Sequence, residues 1–175
     1  VYLFERMFLL HGESKYIDCM ERTLYNGVIS GMSMDGGRFF YPNPLSSDGK
    51  YKFNADGNTT RQPWFGCACC PSNLCRFIPS VPGYLYGVKD NNIYVNLFAG
   101  NTSTIKVNGK DVVLEETTEY PWNGDIKIAV KKSGVKNANL LVRIPGWVRN
   151  QVVPSDLYKY SDAEKLAYSV TVNGK

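Results

Sequence analysis

The chain has 175 residues, a hydrophobic content of 43% and a net charge of +4. These values are typical of a globular protein with one large or two small domains. The basic residues are dispersed, and the longest run is the pair Lys131-Lys132, which argues against a nucleic-acid partner. No apolar stretch approaches the ~18 residues that a membrane span needs. Charged residues follow directly on the first four residues, which argues against a signal peptide.

Two helices are predicted at the start of the chain. Residues 1–10 are apolar on several faces, which predicts a helix buried among other helices. Residues 15–29 carry apolar side chains at steps of three and four, which predicts an amphipathic helix. Gly12 can end the first helix, and Ser14 can cap the second.

A long loop is predicted from residue 31 to residue 66, where glycine and proline interrupt the helical pattern. Residues 38–41 predict a short strand within it, and residues 72–78 predict a short helix after it. Loops of this length are usually functional or disordered, and the aromatic content of this one favours a function.

From about residue 84 the apolar residues alternate with a period of two, as in residues 93–97, 105–107 and 126–130. Short strands separated by turns such as Asn108-Gly109 predict an antiparallel β-sandwich. We therefore expect a mixed α and β chain, with a helical domain over residues 1–83 and a sandwich over residues 84–175. A start without methionine in mid-helix and an end on a turn signal predict a segment of a longer protein, with an incomplete sandwich.

A cysteine cluster carries the clearest chemical signal. Cys67, Cys69 and Cys70 place three of the five cysteines within four residues, directly before Pro71. Neighbouring cysteines rarely have the geometry that a disulfide needs. Two of these thiols could bind one metal ion, and a thiolate beside a cation is a nucleophile with a lowered pKa. The cluster therefore predicts a metal site, a reactive sulfur, or both.

The rest of the chain does not offer a second pair of metal ligands. Cys19 is isolated in the sequence, and His11, the single histidine, lies in the loop between the two predicted helices. Cys19 and Cys75 are expected to be core or half-buried residues. A self-contained four-ligand zinc site is therefore not expected.

Five blocks resemble, in order, sequence blocks of the β-L-arabinofuranosidase-like glycoside hydrolases (glycoside hydrolase family 127). The blocks are residues 6–16, 21–28, 38–45, 67–73 and 141–147. The resemblance implies the last helices of an (α/α)6 barrel followed by a β-sandwich. It also implies a retaining glycosidase in which a zinc-bound cysteine attacks the anomeric carbon of β-L-arabinofuranosides or related plant glycans.

Carried over by position, the resemblance assigns roles to the cysteine cluster and to two further residues. Cys69 is expected to be the nucleophile and a zinc ligand, Cys70 a second zinc ligand, and Cys67 a neighbour of the site. Glu21 and Tyr41 are expected to face an oligosaccharide substrate. The remaining zinc ligands, in a Glu-x-Cys motif, and the acid/base Glu are expected upstream of residue 1, so the segment alone is expected to be inactive and to hold zinc weakly or not at all.

Two alternatives remain open at this stage. The first is a β-sandwich module whose aromatic loop binds carbohydrate without catalysis. The second is a thiol-based redox or metal-sensing domain. A Cys69 that reacts with iodoacetamide would argue against the binding module, and hydrolysis of aryl glycosides would separate an enzyme from a sensor.

Overall fold

Two α-helices, α1 (Tyr2–His11) and α2 (Ser14–Thr23), open the chain in the computed structural model, which describes residues 1–162 and 166–175. Gly12 ends α1 with a φ of 70°, and its N–H donates to the Phe8 carbonyl at 2.7 Å, as the sequence predicts. The helical path of α2 continues through a π-helical turn (Leu24–Val28) and a 3-10 turn (Ile29–Gly31). The predicted second helix is confirmed, with a change of winding after Thr23.

The chain divides into two compact units. One unit consists of residues 20–82 together with Val1, and it contains α3 (Cys69–Phe77). The other consists of residues 2–19 and 83–175, and it contains the β-strands. None of the helices in the described ranges has the length and hydrophobicity needed to cross a bilayer.

Helix α1 is less buried than its sequence predicts. Its one buried side chain is Phe8, whose ring meets Tyr94 edge-on at 5.5 Å. Phe4 and Met7 are half-buried, and four further large apolar side chains are more than half exposed: Tyr2, Leu3, Leu9 and Leu10. The prediction of a helix buried among other helices is wrong for the described residues, because the contact with Tyr94 covers a single stripe of α1.

The second unit contains two three-stranded sheets. Their strands are β1 (Tyr86–Lys89), β2 (Asn92–Val95), β3 (Asn101–Val107), β4 (Lys110–Thr118), β5 (Ile126–Ser133) and β6 (Asn139–Val142). The strand orders are β1-β2-β6 and β3-β4-β5. The predicted hairpin turn at Asn108-Gly109 joins β3 to β4, with positive φ at both residues. The pair β2–β6 is parallel and departs from the predicted antiparallel pattern, because the chain leaves for the other sheet before it returns as β6.

The core of this unit follows from the alternation along its strands. Ile93 of one sheet and four apolar residues of the other are buried together: Ile105, Val107, Val112 and Leu114. Successive side chains of a strand point to opposite faces, so this alternation brings the apolar residues to one face. Burying each such side chain contributes about 1.5–3 kcal/mol.

Arg143 follows β6 and forms a buried ion pair with Asp18 of α2. The Arg143 side chain is 2% exposed, and its Nη1 donates to Asp18 Oδ1 at 2.7 Å. Its Nε donates to the Asn96 carbonyl at 2.5 Å, and the N–H of Gly146 donates to the same Asp18 oxygen at 3.1 Å. This network ties residues 14–19 of α2 to the turn after β6, and both segments belong to the same unit.

A buried polar cluster interrupts the same core at Glu116, which is 2% exposed. Tyr86 donates its hydroxyl hydrogen to Glu116 Oε2 at 3.1 Å and accepts one from Asn101 Nδ2 at 3.1 Å. Glu116 Oε1 is buried without a hydrogen-bond partner among the described residues. Burial therefore raises the pKa of the Glu116 carboxyl above its ordinary value of 4.5, although the bond from Tyr86 opposes this shift.

This cluster makes stability depend on pH. The folded state binds the Glu116 proton more tightly than the unfolded state does, so the resulting stabilisation is fully present below pH 4.5 and is lost as pH rises through the folded pKa. The melting temperature should therefore fall as pH rises through the folded pKa of Glu116. We expect Glu116→Gln to abolish this fall, because the amide does not titrate. We expect Tyr86→Phe to shift the fall to higher pH, because the bond from Tyr86 lowers the pKa of Glu116. Melting temperatures measured between about pH 4 and 8 test this. A Glu116→Gln variant with the unchanged pH slope would contradict it.

Candidate thiolate site

Helix α3 begins directly at the cysteine cluster, with Cys69 and Cys70 as its first two residues. Pro71 fits the first turn because a backbone N–H is not required there. The first helical bond runs from the Ser72 N–H to the Ala68 carbonyl at 3.1 Å. The helix starts three residues earlier than the predicted range of 72–78. The thiols of Cys69 and Cys70 therefore lie at a helix N-terminus, where the partial positive charge of the helix dipole favours a thiolate.

The phenol of Tyr41 meets the first of these thiols. Tyr41 Oη lies 3.2 Å from Cys69 Sγ, and Cys69 Sγ lies 3.7 Å from Cys70 Sγ. Cys67 and Cys69 are exposed, whereas Cys70 is half-buried. The reactive edge of the cluster is therefore open to solvent in this unit.

The pKa shifts indicate where the charge resides. The hydrogen bond from Tyr41, followed by that from Cys70, lowers the pKa of Cys69. The same bond to Cys69, followed by one to Cys67, raises the pKa of Tyr41. Burial, followed by the bond to Cys69, raises the pKa of Cys70. An ionised Cys69 sulfur can only accept, so the Tyr41 phenol is the donor once Cys69 is a thiolate, and of the adjacent Cys69 and Cys70 it is Cys69 that ionises more easily.

The long loop holds Tyr41 at both its backbone and its ring. The Tyr41 N–H donates to Asn54 Oδ1 at 2.8 Å, and the ring meets buried Phe65 edge-on at 5.5 Å. Phe39 and Gln62 exchange two backbone hydrogen bonds at 2.8 and 2.9 Å and close the loop. Of residues 38–41 only Phe39 forms isolated bridges, and the predicted strand is absent there, because the prolines at 42 and 63 end the pairing on both sides.

The separation of the Cys69 and Cys70 sulfurs is compatible with two ligands of one metal ion. Two sulfurs that each lie ~2.3 Å from a tetrahedral zinc are ~3.8 Å apart, and the observed Cys69–Cys70 separation is 3.7 Å. Across residues 1–162 and 166–175, no group of three or more His, Cys, Asp or Glu side chains could hold a metal ion. Among the described residues, neither Cys67 nor Glu21 therefore completes a metal-binding set with Cys69 and Cys70.

The other sequence-predicted residues lie on helices α2 and α3. Glu21 is on the last turn of α2 and is 5% exposed. Cys19 is half-buried as expected, but Cys75 is exposed on α3, so its prediction as a core or half-buried residue is wrong. A role for Asn54 at the site was not predicted from the sequence, because an asparagine three positions before Gly57 in a loop is typical of an ordinary turn.

Comparison with known proteins gives two family models, which match consecutive parts of the chain. The model of the β-L-arabinofuranosidase GH127 catalytic domain matches residues 1–83, and that of the GH127 middle domain matches residues 92–175. The chain is also 31% identical over 179 aligned positions to the non-reducing end β-L-arabinofuranosidase of Bifidobacterium longum subsp. longum. That alignment covers 98% of this chain and 24% of the relative.

Solved structures resemble the chain closely. A GH127 β-arabinofuranosidase, BT3674, is 57% identical with a TM-score of 0.89, over 99% of this chain and 26% of that protein. Ara127N, a GH127 β-L-arabinofuranosidase from Geobacillus stearothermophilus T6, is 40% identical with a TM-score of 0.68, over 82% of this chain and 23% of that protein. The chain thus spans about a quarter of the length of these relatives.

Proposed function

Because the chain belongs to glycoside hydrolase family 127, we propose that it supplies the nucleophile of a retaining hydrolase that acts on β-L-arabinofuranosides or related glycans. The observation that carries this proposal is the hydrogen bond between Tyr41 and Cys69 at 3.2 Å. A thiol with a lowered pKa at a helix N-terminus, open to solvent, has the chemistry of a nucleophile.

The proposed reaction has two displacements at the anomeric carbon. In the first, a lone pair of Cys69 sulfur forms a bond to that carbon, and the bond to the leaving oxygen breaks with its electron pair. The leaving oxygen takes a proton from a carboxylic acid that residues outside this chain would contribute. In the second, water forms a bond to that carbon and gives a proton to the carboxylate left by the first step, while the carbon–sulfur bond breaks with its electron pair returning to Cys69, and the original configuration is restored. Most glycosidases use a carboxylate where this proposal places a thiolate.

Tyr41 and Glu21 have proposed roles around this sulfur. When Cys69 is ionised, the Tyr41 hydroxyl donates to its sulfur, which favours the thiolate and restricts the direction of the sulfur. We place both residues against the sugar, where a phenol and a buried carboxyl could bind ring hydroxyls. Such polar groups determine specificity because an unpaired buried polar group is costly.

Zinc is the proposed cofactor, with Cys69 and Cys70 as two of its ligands. Zinc would keep the Cys69 thiol deprotonated at neutral pH. A tetrahedral site needs two further ligands, which the proposal assigns to residues outside this chain. The 3.7 Å separation of the two sulfurs supports this assignment.

Removal of one proposed ligand should release the metal. In the full-length protein that carries this sequence, we expect Cys70→Ser to weaken zinc binding by about 100-fold or more, since even the loss of an outer-sphere partner costs about 10–100-fold. Zinc content by mass spectrometry during titration with a chelator measures this. Cys75→Ser is the matched control, because Cys75 is exposed on the same helix and should leave the affinity unchanged. Equal zinc affinity in both variants would overturn the ligand assignment.

Activity on a panel of aryl glycosides tests the proposed substrate class. We expect the full-length protein to hydrolyse aryl β-L-arabinofuranoside faster than the corresponding pyranosides, and to release arabinose with retained configuration by NMR. Release with inverted configuration would contradict the thiolate mechanism. Binding of the sugar without hydrolysis of any glycoside would favour a non-catalytic carbohydrate-binding module.

A further inference from the structure

We propose that Asn54 is a positioning residue, which fixes the main chain at Tyr41 and thereby directs the phenol to Cys69. The effect of this positioning on catalysis rests on the proposed function. Asn54 lies 13 positions from Tyr41 in the sequence, in the loop between the helices, and is 4% exposed.

Both polar atoms of the Asn54 side chain are hydrogen-bonded. Its Oδ1 accepts the N–H of Tyr41 at 2.8 Å and that of Ala55 at 3.1 Å. Its Nδ2 donates to the Thr60 carbonyl at 2.8 Å. Two donors face the oxygen and one acceptor faces the nitrogen, so its neighbours fix the orientation of the amide.

Tyr41 depends on this amide because a sheet ladder does not hold it. The paired bridge ends at Phe39, two positions earlier, and the chain then runs through Pro42. Asn54 is the acceptor of the Tyr41 N–H, and Phe65 supports the ring. If the amide is lost, the backbone at Tyr41 can shift and the 3.2 Å contact with Cys69 lengthens. Misplacing a group by about 1 Å can cost about 100-fold in rate.

A double-mutant cycle tests this role in the full-length protein. We expect Asn54→Ala to lower kcat for aryl β-L-arabinofuranoside by about tenfold or more when Tyr41 is present, with little change in KM. In the Tyr41→Phe background the same substitution should cost less than about twofold, because no phenol hydroxyl remains to be misplaced. An equal loss of kcat in both backgrounds would overturn the proposal.

Two further variants separate positioning from general loss of folding. Asn58→Ala is the matched control, since Asn58 lies in the same loop and its amide donates to the Ala55 carbonyl at 3.3 Å, not to Tyr41. It should leave kcat within about twofold of the parent protein. Asn54→Asp keeps an oxygen that can accept from Tyr41 but turns a second acceptor toward the Thr60 carbonyl, so any loss of kcat that it causes should again depend on the Tyr41 hydroxyl. If Asn54→Ala does not fold, an equal loss of kcat caused by Asn54→Asp with Tyr41 and with Tyr41→Phe refutes the proposal.

A readout without turnover distinguishes this proposal from the proposed function. The rate of Cys69 alkylation by iodoacetamide, resolved by peptide mass spectrometry, should change by the same factor in Asn54→Ala and Tyr41→Phe. The double variant should show no additional change. Coupled alkylation rates in a protein without glycosidase activity would support the positioning role and contradict the proposed function. Unaltered alkylation in Asn54→Ala beside a changed rate in Tyr41→Phe would refute the positioning role.

Discussion

Replacing Cys69 with serine in the full-length protein should lower kcat/KM for aryl β-L-arabinofuranosides by about 10⁴-fold or more. The serine hydroxyl stays protonated at neutral pH, whereas the Cys69 thiol already has a lowered pKa through its bond from Tyr41. A cysteine thiolate is also the more nucleophilic group. The substitution replaces a single atom but also removes a proposed zinc ligand, so activity and melting temperature are compared at saturating zinc. Steady-state kinetics and melting temperature measure the two effects.

The control for this experiment is Cys75→Ser on the same helix. Cys75 is exposed, and its replacement should leave both kcat/KM and the melting temperature unchanged. A Cys69→Ser variant that keeps a tenth or more of the parent activity would exclude Cys69 as the nucleophile.

The second large effect concerns stability. We expect Arg143→Met to lower the local free energy of unfolding by about 3–5 kcal/mol, because it leaves the Asp18 carboxylate without its buried partner. The guanidinium also donates to the Asn96 carbonyl, which would lose this donor. Native-state hydrogen exchange can measure the effect at the Arg143 amide, which donates to the Val95 carbonyl at 3.1 Å.

Lys131→Met provides the contrasting case. Lys131 Nζ lies 3.1 Å from Glu115 Oε2, but both side chains are about half exposed, at 54% and 42%. Solvent screens such pairs, so the loss should be within about 1 kcal/mol. Arg143→Lys should be intermediate, since a single ammonium cannot reproduce the planar fork of donors. Equal losses for Arg143→Met and Lys131→Met would show that burial of the first pair has no effect.

Local patterns were sufficient to predict most of the secondary structure. Alternation predicted the strands around Ile93, Ile105 and Leu114 because those side chains share one buried face. The burial of α1 was not predictable in this way, since an apolar sequence shows what a helix can bury and not which surface covers it. The parallel pairing of β2 and β6 was also missed, because it depends on the path of the chain between the sheets.

The site was predictable in its cysteines and less so in its partners. The three thiols of Cys67, Cys69 and Cys70 can be recognised as a cluster from the sequence alone. The contact of Tyr41 with Cys69 spans 28 positions, and no spacing rule indicates it. The pair of Arg143 with Asp18 spans 125 positions. Asn54 is the extreme case, because its role arises from three hydrogen bonds formed only when the loop is folded.

The proposed mechanism requires a covalent bond between the Cys69 sulfur and the sugar. Incubation of the full-length protein with an epoxide analogue of L-arabinofuranose, followed by peptide mass spectrometry, tests this directly. We expect one sugar adduct on Cys69, and we expect the Cys69→Ser variant not to form it. An adduct on an aspartate or glutamate, with Cys69 unmodified and the enzyme inactivated, would contradict it.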